Sequence, residues 1–149
     1  MAFNLITPVS DVLRRDFPIN TGTLSTDPTA SANAKNVAGA WVSLEESSGV
    51  QQLSTCAGAT DKPCYPVWTQ KGDTAAQAID KLTIIMSHGW EAETSMYAGS
   101  PVVGDLLTHN SDGKLLVTTT AGNIVIGVCT RGVSNSKIRF QSVSPYTHN

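Results

Sequence analysis

Hydrophobic positions beyond residue 37 recur with a period of two. Ala40, Val42 and Leu44 alternate with Trp41, Ser43 and Glu45, and the run ends at Ser47-Ser48-Gly49. Alternation closed by a Ser/Gly turn predicts a half-buried strand. Tyr65-Pro66-Val67-Trp68-Thr69 predicts a shorter one, with Pro66 favouring a sheet edge or a strand start. Leu82-Thr83-Ile84-Ile85-Met86 is rich in β-branched residues and predicts a third. Gly72-Asp73 and the Thr-Ala-Ala-Gln-Ala stretch between them read as a loop or a single helical turn.

The last third carries the clearest pattern. Val102 to Thr108, Leu115 to Thr120, Ile124 to Thr130 and Lys137 to Val143 predict four short strands. Their separators are Asn110-Ser111-Asp112-Gly113, Ala121-Gly122-Asn123 and Val133-Ser134-Asn135-Ser136. Asp-Gly between alternating runs predicts a tight type I′ hairpin, which needs positive φ at both central residues. Short strands at regular spacing predict an all-β fold, a small barrel or sandwich of antiparallel strands. Its expected core includes Val42, Leu44, Ile84, Leu106, Ile124, Ile126, Val128, Ile138 and Phe140.

Residues 1–36 have a different texture. Asp16 to Asn36 is rich in Thr, Ser, Asn and Ala, is broken by Pro18 and Pro28, and has no sustained period. Thr7 to Arg15 could form two helical turns, with Thr7 as cap and Pro8 at the first helical position. The chain therefore divides into an extended N-terminal arm, 1–36, and a β domain, 37–149. The arm is either a disordered leader or a segment that orders on a partner. Its apolar residues favour giving it a function. Leu5, Val9, Val12, Leu13, Phe17 and Ile19 are the candidate partner-binding residues, with Arg14 and Arg15 pairing acidic rim groups.

Composition narrows the function classes. The 149 residues hold 10 Lys and Arg against 12 Asp and Glu, a net charge of −2, with no basic stripe, which argues against nucleic-acid binding. No apolar run reaches the ~18–20 residues of a membrane span. The N-terminus lacks a basic and apolar leader pattern, so a start in a cytoplasm is expected. Three cysteines, Cys56, Cys64 and Cys129, fit a reducing compartment.

Candidate chemistry is sparse. Seven residues separate Cys56 from Cys64, and His88, His109 and His148 are scattered. A zinc site from both cysteines and a histidine is conceivable. An oxidised Cys56–Cys64 pair is the better of those two readings, and both rank below reduced thiols with no metal. Cys129 reads as a packing residue. His88 and His109 read as turn residues and His148 as a tail residue. Glu91 and Glu93 share a strand face, where solvation outweighs acid–base work or calcium binding. No nucleophile–base arrangement or phosphate loop stands out, so no enzyme, cofactor or metal is expected. Trp41, Trp68 and Trp90 read as core or interface residues, and less readily as stacking platforms for a carbohydrate.

Gly89-Trp90-Glu91-Ala92-Glu93-Thr94-Ser95-Met96-Tyr97, followed by Val102-Val103-Gly104-Asp105-Leu106-Leu107-Thr108, resembles the middle of head decoration proteins of tailed bacteriophages. So does the continuation, Ser111-Asp112-Gly113-Lys114-Leu115 and then Thr120 to Val128. The resemblance spans roughly residues 82 to 143. It implies a capsid cement protein, made in the host cytoplasm and bound to the outer surface of the expanded head in the virion. It also implies the major capsid protein as partner, and self-association as a homotrimer, favoured over a dimer. Another virion β-module, from a tail, baseplate or head fibre, is the competing expectation.

Overall fold

The computed structural model describes residues 3–25, 36–61, 64–71 and 80–149. Among them are eleven strands: β1 Phe3–Leu5, β2 Arg14–Pro18, β3 Trp41–Ser47, β4 Val50–Thr55, β5 Cys64–Lys71, β6 Lys81–Ile85, β7 Glu91–Thr94, β8 Leu106–His109, β9 Leu115–Val117, β10 Ile124–Ser134 and β11 Lys137–Thr147. They form two antiparallel sheets. One has six strands in the order β1-β7-β11-β10-β8-β9, the other five in the order β2-β6-β5-β3-β4. Neither closes into a barrel, so of the two expected architectures the fold is consistent with a sandwich. No helix among the described residues is long and apolar enough to cross a membrane.

Turn chemistry sets the registers of the β3–β4 and β10–β11 hairpins. Ser48 and Gly49 both take positive φ between Ser47 and Val50, and Asn135 and Ser136 do the same between Ser134 and Lys137. These are the type I′ connections. The Asp112-Gly113 turn differs from the expectation. Only Gly113 has positive φ, and the five-residue loop is organised by Asn110, whose Oδ1 accepts from the amides of Asp112 and Lys114. A side chain that gathers two amides removes the need for a two-residue turn.

Two apolar cores result. The first lies between the sheets and joins Trp41, Cys56, Cys64 and Ile85 to Trp90, Leu107, Leu115, Ile124, Ile126, Cys129, Ile138 and Phe140. The second lies on the other face of the five-stranded sheet, with Phe17, Ile19, Leu24, Val42, Leu53, Val67, Leu82 and Ile84. Hence β3 is buried on both faces at Trp41, Val42 and Ser43 rather than half-buried. Pro66 lies in a central strand. It pairs with Trp41 on one side and falls just outside the register with β6, which begins at Val67, so its missing N–H breaks no bond with β6.

Of the expected core, Val42, Ile84, Ile124, Ile126, Ile138 and Phe140 are buried, whereas Leu44, Leu106 and Val128 are only partly so. Leu107 faces the core in place of Leu106. An irregularity in the β10–β11 pairing between Val125 and Gly127 shifts the phase, so that Cys129 rather than Val128 continues the inner face.

The division into arm and domain is corrected. Phe3 to Leu5 pairs with β7, and Arg14 to Pro18 pairs with β6, so the segment supplies an edge strand to each sheet. The two expected helical turns reduce to one 3-10 turn at Val9–Asp11, after which Arg14 and Arg15 are extended. Alternating burial is the physical reason: Phe3, Val12, Phe17 and Ile19 each reach a core in this same chain. Residues 26–35 of the expected arm lie outside the described residues, as does the Thr74–Ala78 stretch.

Candidate functional site

The eight N-terminal candidates separate by face. Val12, Phe17 and Ile19 are buried in the protein's own cores, and Leu5 is partly buried against the first. These four hold the sandwich together and are not free for a partner. Val9, Leu13, Arg14 and Arg15 face solvent, together with Ile6, an apolar residue of the same segment outside the eight candidates. Leu13 is 57% exposed.

Leu13, Arg14 and Arg15 line one groove and Val9 another, and the two grooves share Trp68. One, of about 540 Å³, runs along residues 12 to 16, and the other, of about 380 Å³, along Phe3 to Leu5 and Val9. The Arg14 guanidinium lies 4.4 Å from the centre of the Trp68 ring, and that of Arg15 lies 4.9 Å from the Phe17 ring. Both cations are thereby held over aromatic faces at the surface. The backbone is pinned by the Leu13 amide donating to Ser87 Oγ at 2.9 Å and the Met86 amide donating to Leu13 O at 2.8 Å.

Trp41 and Trp90 are buried, so they cannot serve as surface platforms. Trp90 donates to Ser87 O and meets Phe140 edge-on at 5.4 Å between centroids. Only Trp68 is partly exposed, and Arg14 covers its ring.

The acidic pair is also accounted for. Glu91 and Glu93 do share a face, where Glu91 accepts from Thr130. Glu93 meets Arg131 at 2.9 Å, Arg139 at 3.2 Å and Lys137 at 3.9 Å. The Arg139 hydrogen bond, reinforced by Arg131, holds its carboxyl below the usual range. A carboxylate matched by three cations is a cross-strand tie, not a general acid. Ser87 Oγ is engaged by Leu13, and burial lowers the affinity of His88 for a proton.

A second constellation lies inside the molecule. Cys56 Sγ and Cys64 Sγ are 2.9 Å apart, both buried and both free thiols. His109 completes a group whose ligand atoms all lie within 4.8 Å of one another. The sequence separates His109 from Cys64 by a strand pair and a sheet change, and it was read as a turn residue. It is instead the last residue of β8, fully buried, with its ring stacked on Trp41 at 6.3 Å and 25°. The loop after β4 brings the thiols to it: Ala59 O accepts from the Ile124 amide at 2.8 Å and from Thr108 Oγ1 at 3.3 Å. The Asp61 carboxylate braces that loop through the Ala57 amide. The hydrogen bond to Cys56 and then burial push the Cys64 thiol well above its ordinary range, with His109 opposing. The period-two alternation of a strand places Leu107 and His109 on one face, which points the histidine inward only once the strand's start at Leu106 is known.

No protein-family model matches the chain, and no curated protein matches it.

Proposed function

We propose that this chain is a non-enzymatic binding module that docks on another protein. The specific reading is a decoration protein on the outer surface of a tailed-phage head, where it cements major capsid subunits. One observation carries the docking part: Ile6, Val9 and Leu13 are exposed apolar side chains in one short segment that links the edges of both sheets. They are bordered by Arg14 on Trp68. An apolar centre with cationic and aromatic neighbours has the composition of a protein–protein contact.

The capsid as partner rests on the resemblance over residues 82 to 143. Most of that stretch builds the six-stranded sheet, from β7 through β11. A homotrimer is the favoured assembly, with each copy presenting the same N-terminal face, so that several weak contacts act together.

The experiment is decoration of expanded, undecorated heads by the intact protein and by Leu13→Asp and Val9→Asp. Both variants keep the fold, because both positions face solvent. Binding weakened by more than tenfold supports this face as the capsid contact. Undiminished decoration by both variants moves the contact elsewhere, and failure of the unaltered protein to bind heads rejects the capsid reading.

A further inference from the structure

We propose that Cys56, Cys64 and His109 form a buried site for a thiophilic closed-shell metal ion, zinc(II) or copper(I). Two thiol sulfurs and an imidazole are the donor set such ions select. Cys56 directly follows β4, Cys64 opens β5 and His109 ends β8, so both sheets contribute.

Geometry supports binding without rebuilding. Zinc holds sulfur at about 2.3 Å and imidazole nitrogen at about 2.0–2.1 Å, which puts donors roughly 3.5–4 Å apart. The three donor atoms here already lie within 4.8 Å of one another, and the sulfurs at 2.9 Å need to spread by under about one ångström.

The independent observation is His109 itself. It is fully buried, and among the described residues neither Nδ1 nor Nε2 has a partner at hydrogen-bonding geometry beyond its electrostatic contact with the Cys64 thiol. A buried polar group left without a partner destabilises the fold. A metal bond to one nitrogen removes that penalty, whereas a Cys56–Cys64 disulfide leaves it in place. Stacking on Trp41 holds the ring in plane for ligation. On binding, each thiol loses its proton to solvent and the sulfur donates its electron pair to the ion, with no change of oxidation state. Copper(I) is satisfied by the three donors. Zinc adds a fourth, for which the backbone candidates are the Asp61 carbonyl, 3.5 Å from Cys64 Sγ, and the Trp41 carbonyl, 3.5 Å from Cys56 Sγ.

The test uses the intact protein, reduced and kept anaerobic. Zinc(II) alone and copper(I) alone are titrated against competing chelators, and X-ray absorption reads the first shell. One ion per chain with two sulfurs and at least one imidazole nitrogen is expected, from either metal. Cys64→Ala and Cys56→Ala should each weaken binding by on the order of a hundredfold or more, since even outer partners of metal ligands are worth 10–100-fold. Cys129→Ala should bind like the unaltered chain. Should the ligand variants fail to fold, the absorption spectrum of the unaltered protein still decides. Retention of both metals by the chelators, or a first shell without sulfur, overturns the site. So does a purified Cys56–Cys64 disulfide that binds neither ion after reduction.

Discussion

The indole of Trp41 lies stacked on the imidazole of His109, 6.3 Å between centroids and 25° between planes. Trp41 opens β3 in the five-stranded sheet and His109 ends β8 in the six-stranded one, so this contact is a bridge between the two layers. The bridge continues: Trp41 meets Phe140, Phe140 meets Trp90 and Trp90 meets Phe3. A line of aromatic rings thus runs through the inter-sheet core, ending at the thiol cluster on one side and the N-terminal strand on the other.

The turn beside Trp41 gives the first prediction. Gly113 has φ +73°, and a Cβ there would stand 3.2 Å from Trp41 O and 3.4 Å from Trp41 N. Its carbonyl also accepts from the Trp41 amide at 2.9 Å. Gly113→Val therefore meets both a disfavoured φ and backbone it cannot push aside, and should cost about 1–3 kcal/mol. Thermal unfolding should show a clear fall in Tm; an unchanged Tm would mean that the turn relaxes freely.

A stabilising change is expected at the opposite hairpin. Ser136 takes φ +59° in the second central position of the β10–β11 turn, where a side chain is strained. Ser136→Gly makes the pair Asn-Gly, the favoured type I′ sequence, and should add about 1 kcal/mol. Urea unfolding at constant m should show a higher midpoint.

What the sequence revealed, and what it hid, follows from the range of the forces involved. Strands at 41–47, 64–71, 81–85 and 124–134 were legible because alternation and turn residues are local signals. Leu106 is expected inward on a strand starting at Val102, whereas Val102 to Asp105 forms a turn closed by Asp105 Oδ2 on the Val102 amide, and Leu107 faces the core. Val42 and Ile84 read as buried, but their place in a second core on the outer side of the five-stranded sheet has no local signal, since it depends on chain far away in sequence such as Phe17 and Leu24. The N-terminal strands were hidden by Pro18 and by charged Arg14, Arg15 and Asp16, which are tolerated because β2 is an edge. The thiols were noticed, but His109 joins them only through the folded contact of the Ala59 loop with β8.

Acid stability should depend on Glu93. Its carboxyl titrates lower in the folded protein than the ordinary 4.5, chiefly because Arg139 donates to it. A carboxyl depressed in the folded state contributes stability that is complete above its unfolded value and fades as pH falls through the folded one. Glu93→Gln leaves Arg131, Lys137 and Arg139 without their shared counter-charge. The variant should therefore melt below the unaltered protein at neutral pH, and the gap should shrink below the ordinary carboxylate range. A gap independent of pH would assign the loss to packing rather than charge.

The N-terminal segment should behave as part of the domain in its buried residues and as free surface in its exposed ones. Phe17 is buried in the second core beside Leu82 and Ile84, and its strand is hydrogen-bonded to β6 over residues 14 to 18. Phe17→Ala removes a large side chain from a packed site and should cost about 3–5 kcal/mol. Leu13→Ala, at an exposed position just before β2, should stay within about 0.5 kcal/mol of the unaltered chain. Deleting residues 1–36 goes further, because it strips Phe3, Val12, Phe17, Ile19 and Leu24 from the cores and leaves the edges of β6 and β7 unpaired. That truncated chain should lose cooperative unfolding and gain a tendency to associate through its bare strand edges. Calorimetry and light scattering on the three variants separate the outcomes. A truncated protein that melts cooperatively near the temperature of the full chain would restore the separate arm, and with it the view that Phe17 and Ile19 wait for a partner.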